Sequence, residues 1–284
     1  MKLELKNLSY IYSKETPYEH AAVQDVSLTV GDGEFIGLIG HTGSGKSTLI
    51  RHCNGLLKPT SGQVLIDGKD IFSDKATLKA ARFTVGMVFQ YPEYQLFEET
   101  VYKDVAFGPK NMGLDEREID RRVRESLAMV GLDERVYDKS PFALSGGQKR
   151  RVAIAGVIAM QPKLLILDEP AAGLDPRGKR EIMAYIRDYS LAGHSVLFIS
   201  HSMSDVARYA KRVLVMNDSR LVMDGTVDEV FGRAHELQAM GLSVPQMTEV
   251  FLKLKDKGFD IRTDIYTADA AAAEVLRVLG GGRV

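Results

Sequence analysis

The sequence predicts an α/β fold: a largely parallel sheet flanked by helices, with a helix-rich middle and a small helical tail. Three observations predict it. The apolar run "FIGLI" (35–39) leads into the glycine-rich "GHTGSGKST" (40–48), the order strand, phosphate loop, helix. "LLILD" (164–168) sets four apolar residues ahead of the acids Asp168 and Glu169, the pattern of a buried parallel strand. Around these, strand-like and helical runs alternate, as a parallel sheet covered by helices requires.

The elements follow in order. "LELKNLSY" (3–10) alternates polar and apolar residues and reads as a strand, not a leader peptide. "QVLID" (63–67) and "FTVGMVFQ" (83–90) are further strands, and one helix starts near Lys46. From about 91 to 162 the chain reads as mainly helical. There "LDEREIDRRVRESLAMVGL" (114–132) puts Ile119, Val123, Leu127 and Val130 on one face, with Asp115 and Glu118 as a capping box and Gly131 as the stop. Its Arg/Glu-rich opposite face reads as solvated surface, not a nucleic-acid patch. A helix after Pro176 and the strands "SVLFIS" (195–200), "RVLVMN" (212–217) and "RLVMDG" (220–225) restore β/α alternation. A tail from about Ala234 holds a helix from Pro245 to Lys257, with Met247, Val250, Phe251 and Leu254 at helical spacing, and an Ala-rich helix from near Thr267. The expected organisation is a body over 1–232, whose core (1–90 and 163–232) carries the helical part (about 91–162), and an extension over 233–284.

Bulk properties exclude several function classes. The 284 residues are 45% hydrophobic and 26% charged with a formal net charge of −1, which argues against general affinity for nucleic acid or anionic membrane. Cys53 is the only cysteine, so an internal disulfide is impossible and a reducing compartment is expected. There are six histidines but no His-Glu-x-x-His or Cys-x-x-Cys, so no protein-built zinc site is expected. The longest apolar run, Val152 to Met160, falls well short of the roughly 20 residues of a membrane span. A membrane role would have to come through a partner.

The motifs point to phosphate chemistry. Gly40, His41, Thr42, Gly43, Ser44, Gly45, Lys46, Ser47 and Thr48 form a loop whose glycines let backbone N–H groups turn towards phosphate oxygens, at a helix N-terminus that adds positive potential. Lys46 adds a full charge near the β- and γ-phosphates, and the Ser47 hydroxyl can ligate Mg²⁺. Asp168, at a strand's carboxyl end, is placed to hold Mg²⁺; Glu169 points elsewhere and is free to orient and deprotonate a water. "LSGGQ" (144–148) sets an exposed serine and two glycines at the start of a helix, a second anion site in a chain that needs one per nucleotide.

That second site carries a resemblance. The chain resembles the nucleotide-binding subunits of ATP-binding-cassette transporters over about 1–232: "GHTGSGKST", Gln90, "LSGGQ", "LLILDE", "GLDP" with Asp175 and "ISHS" with His201 occur in the family's order. The resemblance implies a P-loop NTPase of cassette type, a mixed sheet core with a helical subdomain, using ATP and Mg²⁺. It implies two subunits packed head to tail, so that Ser145, Gly146, Gly147 and Gln148 face a γ-phosphate held by the partner. It also implies Glu169 as catalytic base, His201 at the γ-phosphate and attacking water, Gln90 at Mg²⁺ and that water, and Asp175 linking the two sites. It assigns adenine stacking to Tyr12, with Tyr10 the competing residue.

"FQYPEYQLFEETV" (89–101), "DVAFGPKNMG" and the tail "GLSVPQMTEVFLKLKDKGFDI" are similar to energy-coupling factor transporters, most of all their second ATPase type. That resemblance implies a motor for uptake of vitamins or transition-metal ions at the cytoplasmic face of the membrane. Its partners would be a second ATPase (a related subunit or a second copy), a transmembrane coupling subunit and a membrane protein that captures substrate. Glu93, Glu98 and Glu99 would meet arginines of the coupling subunit. A soluble cassette ATPase in another assembly is the alternative. A repair-type relative does not fit, because no extended heptads separate Lys46 from Asp168. The tail is either helices packed on the body or a dimer contact.

Overall fold

The computed structural model describes residues 1–280. In chain order the elements are β1 (Leu3–Tyr12), β2 (His20–Val30), β3 (Phe35–Ile39), α1 (Lys46–Cys53), β4 (Ser61–Ile66), β5 (Lys69–Asp70), α2 (Lys75–Thr84), β6 (Val85–Val88), α3 (Val101–Met112), α4 (Glu116–Met129), α5 (Gly146–Ile158), β7 (Leu164–Asp168), α6 (Pro176–Leu191), β8 (Ser195–Ile199), α7 (Met203–Tyr209), β9 (Arg212–Asn217), β10 (Arg220–Thr226), α8 (Val227–Phe231), α9 (Ala234–Ala239), α10 (Gln246–Asp256) and α11 (Ala268–Gly280). The chain falls into two compact units, Met1–Glu34 with Ser47–Ile199, and Phe35–Lys46 with the chain from Ser200 on.

In the first unit an antiparallel sheet runs in the order β2-β1-β4-β5. Leu3, Leu5 and Leu8 of β1 pair with Val30, Leu28 and Val26 of β2, and all are buried. Strand β2 was not among the expected elements. Its alternation holds only from Val26 onward, because Asp25 at φ 51° breaks the phase with buried Val23. Helix α2 was also unexpected; the Asp74 carboxylate caps it, accepting from the Thr77 N–H at 2.8 Å. It draws Phe83 and Thr84 into the helix, so the strand expected over 83–90 shrinks to the four buried residues of β6.

Strands β6, β7 and β8 pair in parallel, Val85 opposite Leu164 and Leu164 opposite Ser195. Every residue of the three strands is buried, as parallel strands covered on both faces require. Helix α5 packs on β6, α3 and α4. Its approach to β6 is close: a Cβ on Gly86 would stand 2.7 Å from Val157 and Pro162, so glycine is required there. Residues 91–162 contain helices and turns and no strand. In α4 the Asp115 cap on the Glu118 N–H is present at 3.0 Å. The Glu118 carboxylate does not return the bond expected of a capping box; it takes Arg121 and Arg122, each at 2.7 Å.

In the second unit β3 runs parallel to β9, and β10 returns antiparallel, giving a mixed arrangement. Its tail has a core of its own: Phe251, Ile261, Ile265 and Ala271, with Met247 and Leu254 packed against them. Val250, expected on the same helix face, is instead exposed; the fully buried residues of α10 are Thr248 and Phe251, with Met247 and Leu254 partly buried. Among the described residues no helix is long and apolar enough to cross a membrane.

Candidate nucleotide site

The residues that carry the motifs leave the carboxyl ends of strands: Gly40 after β3, Gln90 after β6, Asp168 at the end of β7 and His201 after β8. This is where open α/β sheets hold ligands. In the second unit, β3 delivers the chain into a loop with positive φ at Gly40, Gly43 and Gly45. A Cβ at Gly40 would lie 2.4 Å from the Met216 carbonyl oxygen, so only glycine fits. The Lys46 ammonium donates to the carbonyls of Gly40 and His41, both at 2.8 Å, and the residue is only 7% exposed. Ser44 is fully buried, its N–H donating to the His41 carbonyl at 3.1 Å. The His41 ring lies 2.8 Å from the Thr42 carbonyl and turns its far nitrogen towards Asp218, 3.9 Å away. His201 is exposed, between β8 and α7 in the chain.

In the first unit the Ser47 hydroxyl donates to the Asp168 carboxylate at 2.9 Å across 121 residues of sequence. Hard oxygen donors of this kind fit Mg²⁺. Glu169 adopts φ 51°, and its N–H donates to the Ile199 carbonyl at 3.2 Å. A non-glycine residue in the left-handed region is uncommon; here it turns the chain sharply just after the strand. The Tyr12 hydroxyl lies 3.3 Å from Thr48 Oγ1, at the start of α1. Tyr10 is enclosed edge-on between Tyr12 (ring centroids 4.7 Å) and His52 (4.9 Å).

Ser145 is the N-cap of α5 and forms a full capping box with Gln148: the Gln148 N–H donates to Ser145 Oγ at 3.3 Å and the Ser145 N–H to Gln148 Oε1 at 3.1 Å. Ser145 and Gly146 are exposed, and nothing stands within 4 Å of where a Cβ would project from Gly146 or Gly147. Asp175 caps α6, its carboxylate accepting from the Gly178 N–H at 2.6 Å.

The segment after Gln90 corrects one expectation. Glu93 does not face outward for a partner's arginine: it is 16% exposed and holds Arg150 of its own chain through a forked pair at 2.8 and 3.0 Å. Burial pushes the Glu93 carboxyl up, but the bonds from Arg150, a backbone N–H and the Arg150 charge together outweigh it and hold it below the ordinary glutamate range. Glu99 is exposed and pairs with Lys103 at 2.5 Å; the Glu98 N–H donates to Asp104 at 3.0 Å. Arg150 was missed at the sequence level. Its one signal is a charged residue just ahead of the apolar run from Val152, and its partner lies 57 residues away.

Comparisons with known proteins agree with this geometry. Residues 23–172 match the ABC transporter family model. The energy-coupling factor transporter ATP-binding protein EcfA2 of Clostridium perfringens is 53% identical over 281 residues, covering 98% of this chain and 99% of that protein. The chain belongs to the energy-coupling factor transporter ATP-binding proteins. EcfA2 of Clostridioides difficile, in the same family, is 54% identical over 284 residues, covering 99% of each chain. Among solved structures, cbiO1 from Clostridium perfringens, part of the ABC transporter complex cbiONQ, superposes with a TM-score of 0.74 at 39% identity, over 88% of this chain and 98% of that one. The dimeric post-hydrolysis cassette MJ0796, bound to ADP and Pi, gives 0.70 at 31% identity, over 79% and 98%. As a member of this family the protein binds ATP, is an ATPase coupled to transport and is the ATP-driven motor of an energy-coupling factor importer.

Proposed function

We propose that the chain is one of two ATPase subunits that drive uptake of a vitamin or transition-metal ion through a transmembrane coupling subunit and a substrate-capturing membrane protein, working at the cytoplasmic face. The supporting observation is a groove of about 290 Å³ between α3 and α5, immediately beyond Gln90 in the chain. Phe97 and Phe107 line it, edge-to-face at 4.9 Å, together with Leu96, Ala153, Val157 and Met160. Both rings are about half exposed, which suits the apolar side of a partner helix. The test is co-purification of the chain with the coupling subunit. Phe97→Asp with Phe107→Asp should abolish the complex and leave ATP binding intact; an undiminished complex would refute the groove as the seat. In this reading 1–232 is the cassette domain and 233–284 a dimer-contact extension.

In the mechanism Lys46 and backbone N–H groups of the glycine-rich loop hold the β- and γ-phosphates, and Tyr12 stacks on adenine. Ser47, Asp168 and Gln90 would hold Mg²⁺, which when bound offsets charge on the phosphate oxygens. Glu169 orients the attacking water and accepts its proton, and His201 contacts the water and the γ-phosphate. Ser145 and Gly147, at the open N-terminus of α5, stabilise charge on the γ-phosphate of the partner ATPase. Asp175 connects the two sites. Closure on ATP and reopening after hydrolysis supply the mechanical stroke.

A further inference from the structure

Three segments of the first unit meet on one side chain. Arg150 lies in α5 and is 2% exposed. A buried guanidinium is tolerated only when its charge and its N–H groups are matched. Nε and Nη2 fork onto the Glu93 carboxylate, in the 3-10 turn Pro92–Gln95. Nη1 donates to the carbonyls of Pro170, at 3.3 Å, and Ala172. Four of the five N–H donors of an arginine are thereby used on three acceptor groups, in two segments remote from each other in sequence.

The two carbonyls belong to the turn that follows Glu169. That turn has little slack: the Ala172 N–H donates to the Glu169 carbonyl at 3.1 Å and the Leu174 N–H to the Ala171 carbonyl at 3.3 Å. Glu169 itself is fixed at φ 51°. A shift of the Ala172 carbonyl is therefore felt at Glu169 through the hydrogen bond that closes this turn. Tyr91 supports the same junction. Its ring lies 6.0 Å from the Arg150 guanidinium carbon, and its edge is 3.8 Å from where a Cβ on Gly173 would stand.

We infer that Arg150 is a positioning residue that carries the placement of Tyr91–Gln95 to Glu169 through the Pro170 and Ala172 carbonyls, so that the rate of hydrolysis follows the seating of a partner in the neighbouring groove. The inference rests on the reading above that this groove seats the coupling subunit. A guanidinium forked onto one carboxylate has a fixed orientation. Moving Glu93 turns the fork, and the same rigid plane carries Nη1 against the turn. Lysine cannot transmit this, because a point charge on a flexible stem has no plane to rotate.

The test uses the assembled complex with its coupling subunit in lipid, and measures kcat and KM for ATP. Arg150→Lys and Glu93→Gln should each lower kcat about tenfold or more while leaving KM for ATP within about twofold, the signature of a misplaced catalytic group with intact binding. The double variant should be no worse than the poorer single one, because both changes break one link. Glu93→Gln leaves the carbonyl bonds of Arg150 in place, so it decides the question if Arg150→Lys does not fold. Wild-type kcat in assembled Glu93→Gln complexes would overturn the inference, as would a rise in KM at constant kcat. Failure of the wild-type chain to assemble with the coupling subunit would overturn the groove reading as well, and is seen before any variant is made.

Discussion

The phosphate loop and the N-terminus of α5 are both built from glycines at a helix start, yet they are finished in opposite ways. The phosphate loop is closed on itself: Lys46 and Ser44 are buried, and the loop's own carbonyls hold the ammonium. The α5 terminus is open: Ser145 and Gly146 are exposed, and the bonds between Ser145 and Gln148 are local. In the function proposed above, the first holds this chain's own nucleotide and the second, left open, meets the nucleotide held by a partner.

The largest expected effect breaks the closed site. Lys46→Ala should lower both ATP binding and hydrolysis, the latter by at least about a hundredfold, because a full charge aimed at the transferring group is lost. Equilibrium nucleotide binding and steady-state ATPase assays measure the two separately, and retained hydrolysis would refute the assignment. Next, Ser145→Arg should leave ATP binding to a single chain within about twofold and cut hydrolysis about a hundredfold or more, by filling the space where the partner's phosphate would lie. Strong hydrolysis by a proven monomer would sink the two-subunit site. A smaller effect is expected at half-buried Glu98 and exposed Glu99: reversing both to lysine should weaken assembly with the coupling subunit by about tenfold, with ATP binding unchanged. Pull-down at two salt concentrations checks this, and unchanged assembly counts against it.

Phe251→Ala sharpens the comparison from the tail, where it should destabilise the small core around Ile261 and Ile265 by about 3 kcal/mol, seen as faster hydrogen exchange in α10 and α11. Val250→Asp at the exposed position should leave that core intact, and loss of dimer in this variant would support the dimer-contact reading. The smallest effect is the acid limb of stability. The depressed pKa of Glu93 means that the pair with Arg150 stabilises the fold above the ordinary glutamate range, and that this is lost as pH falls below about 4.3 towards the folded pKa. Glu93→Gln should flatten that limb in acid unfolding curves; an unchanged limb would show that other groups control it.

Much of this was legible because it depends on short stretches of chain. The loop from Gly40 to Thr48, the acids after "LLIL" and the serine that opens α5 are each fixed by a few neighbouring residues, so their types and spacing identify them. Strand β2 and helix α2 were missed for equally local reasons: a left-handed residue at Asp25 broke one alternation, and an aspartate cap at Asp74 was not weighed against a strand-like run. Glu93 was misread because its composition is that of surface, and no local rule pairs an acid with an arginine 57 residues on.

The sequence alone carried the chemistry we propose: which residues would hold phosphate, which would carry the metal and the water, and that a second site at the start of α5 would serve a neighbour. Those assignments rest on backbone geometry and donor type, which local sequence dictates. Only the tertiary structure decided which polar residues are spent internally. The bond from Ser47 to Asp168, the edge-on packing of Tyr10 on His52 and the convergence of Glu93, Pro170 and Ala172 on Arg150 join segments far apart in sequence. Burial makes such pairings obligatory, and burial is set by how the segments pack.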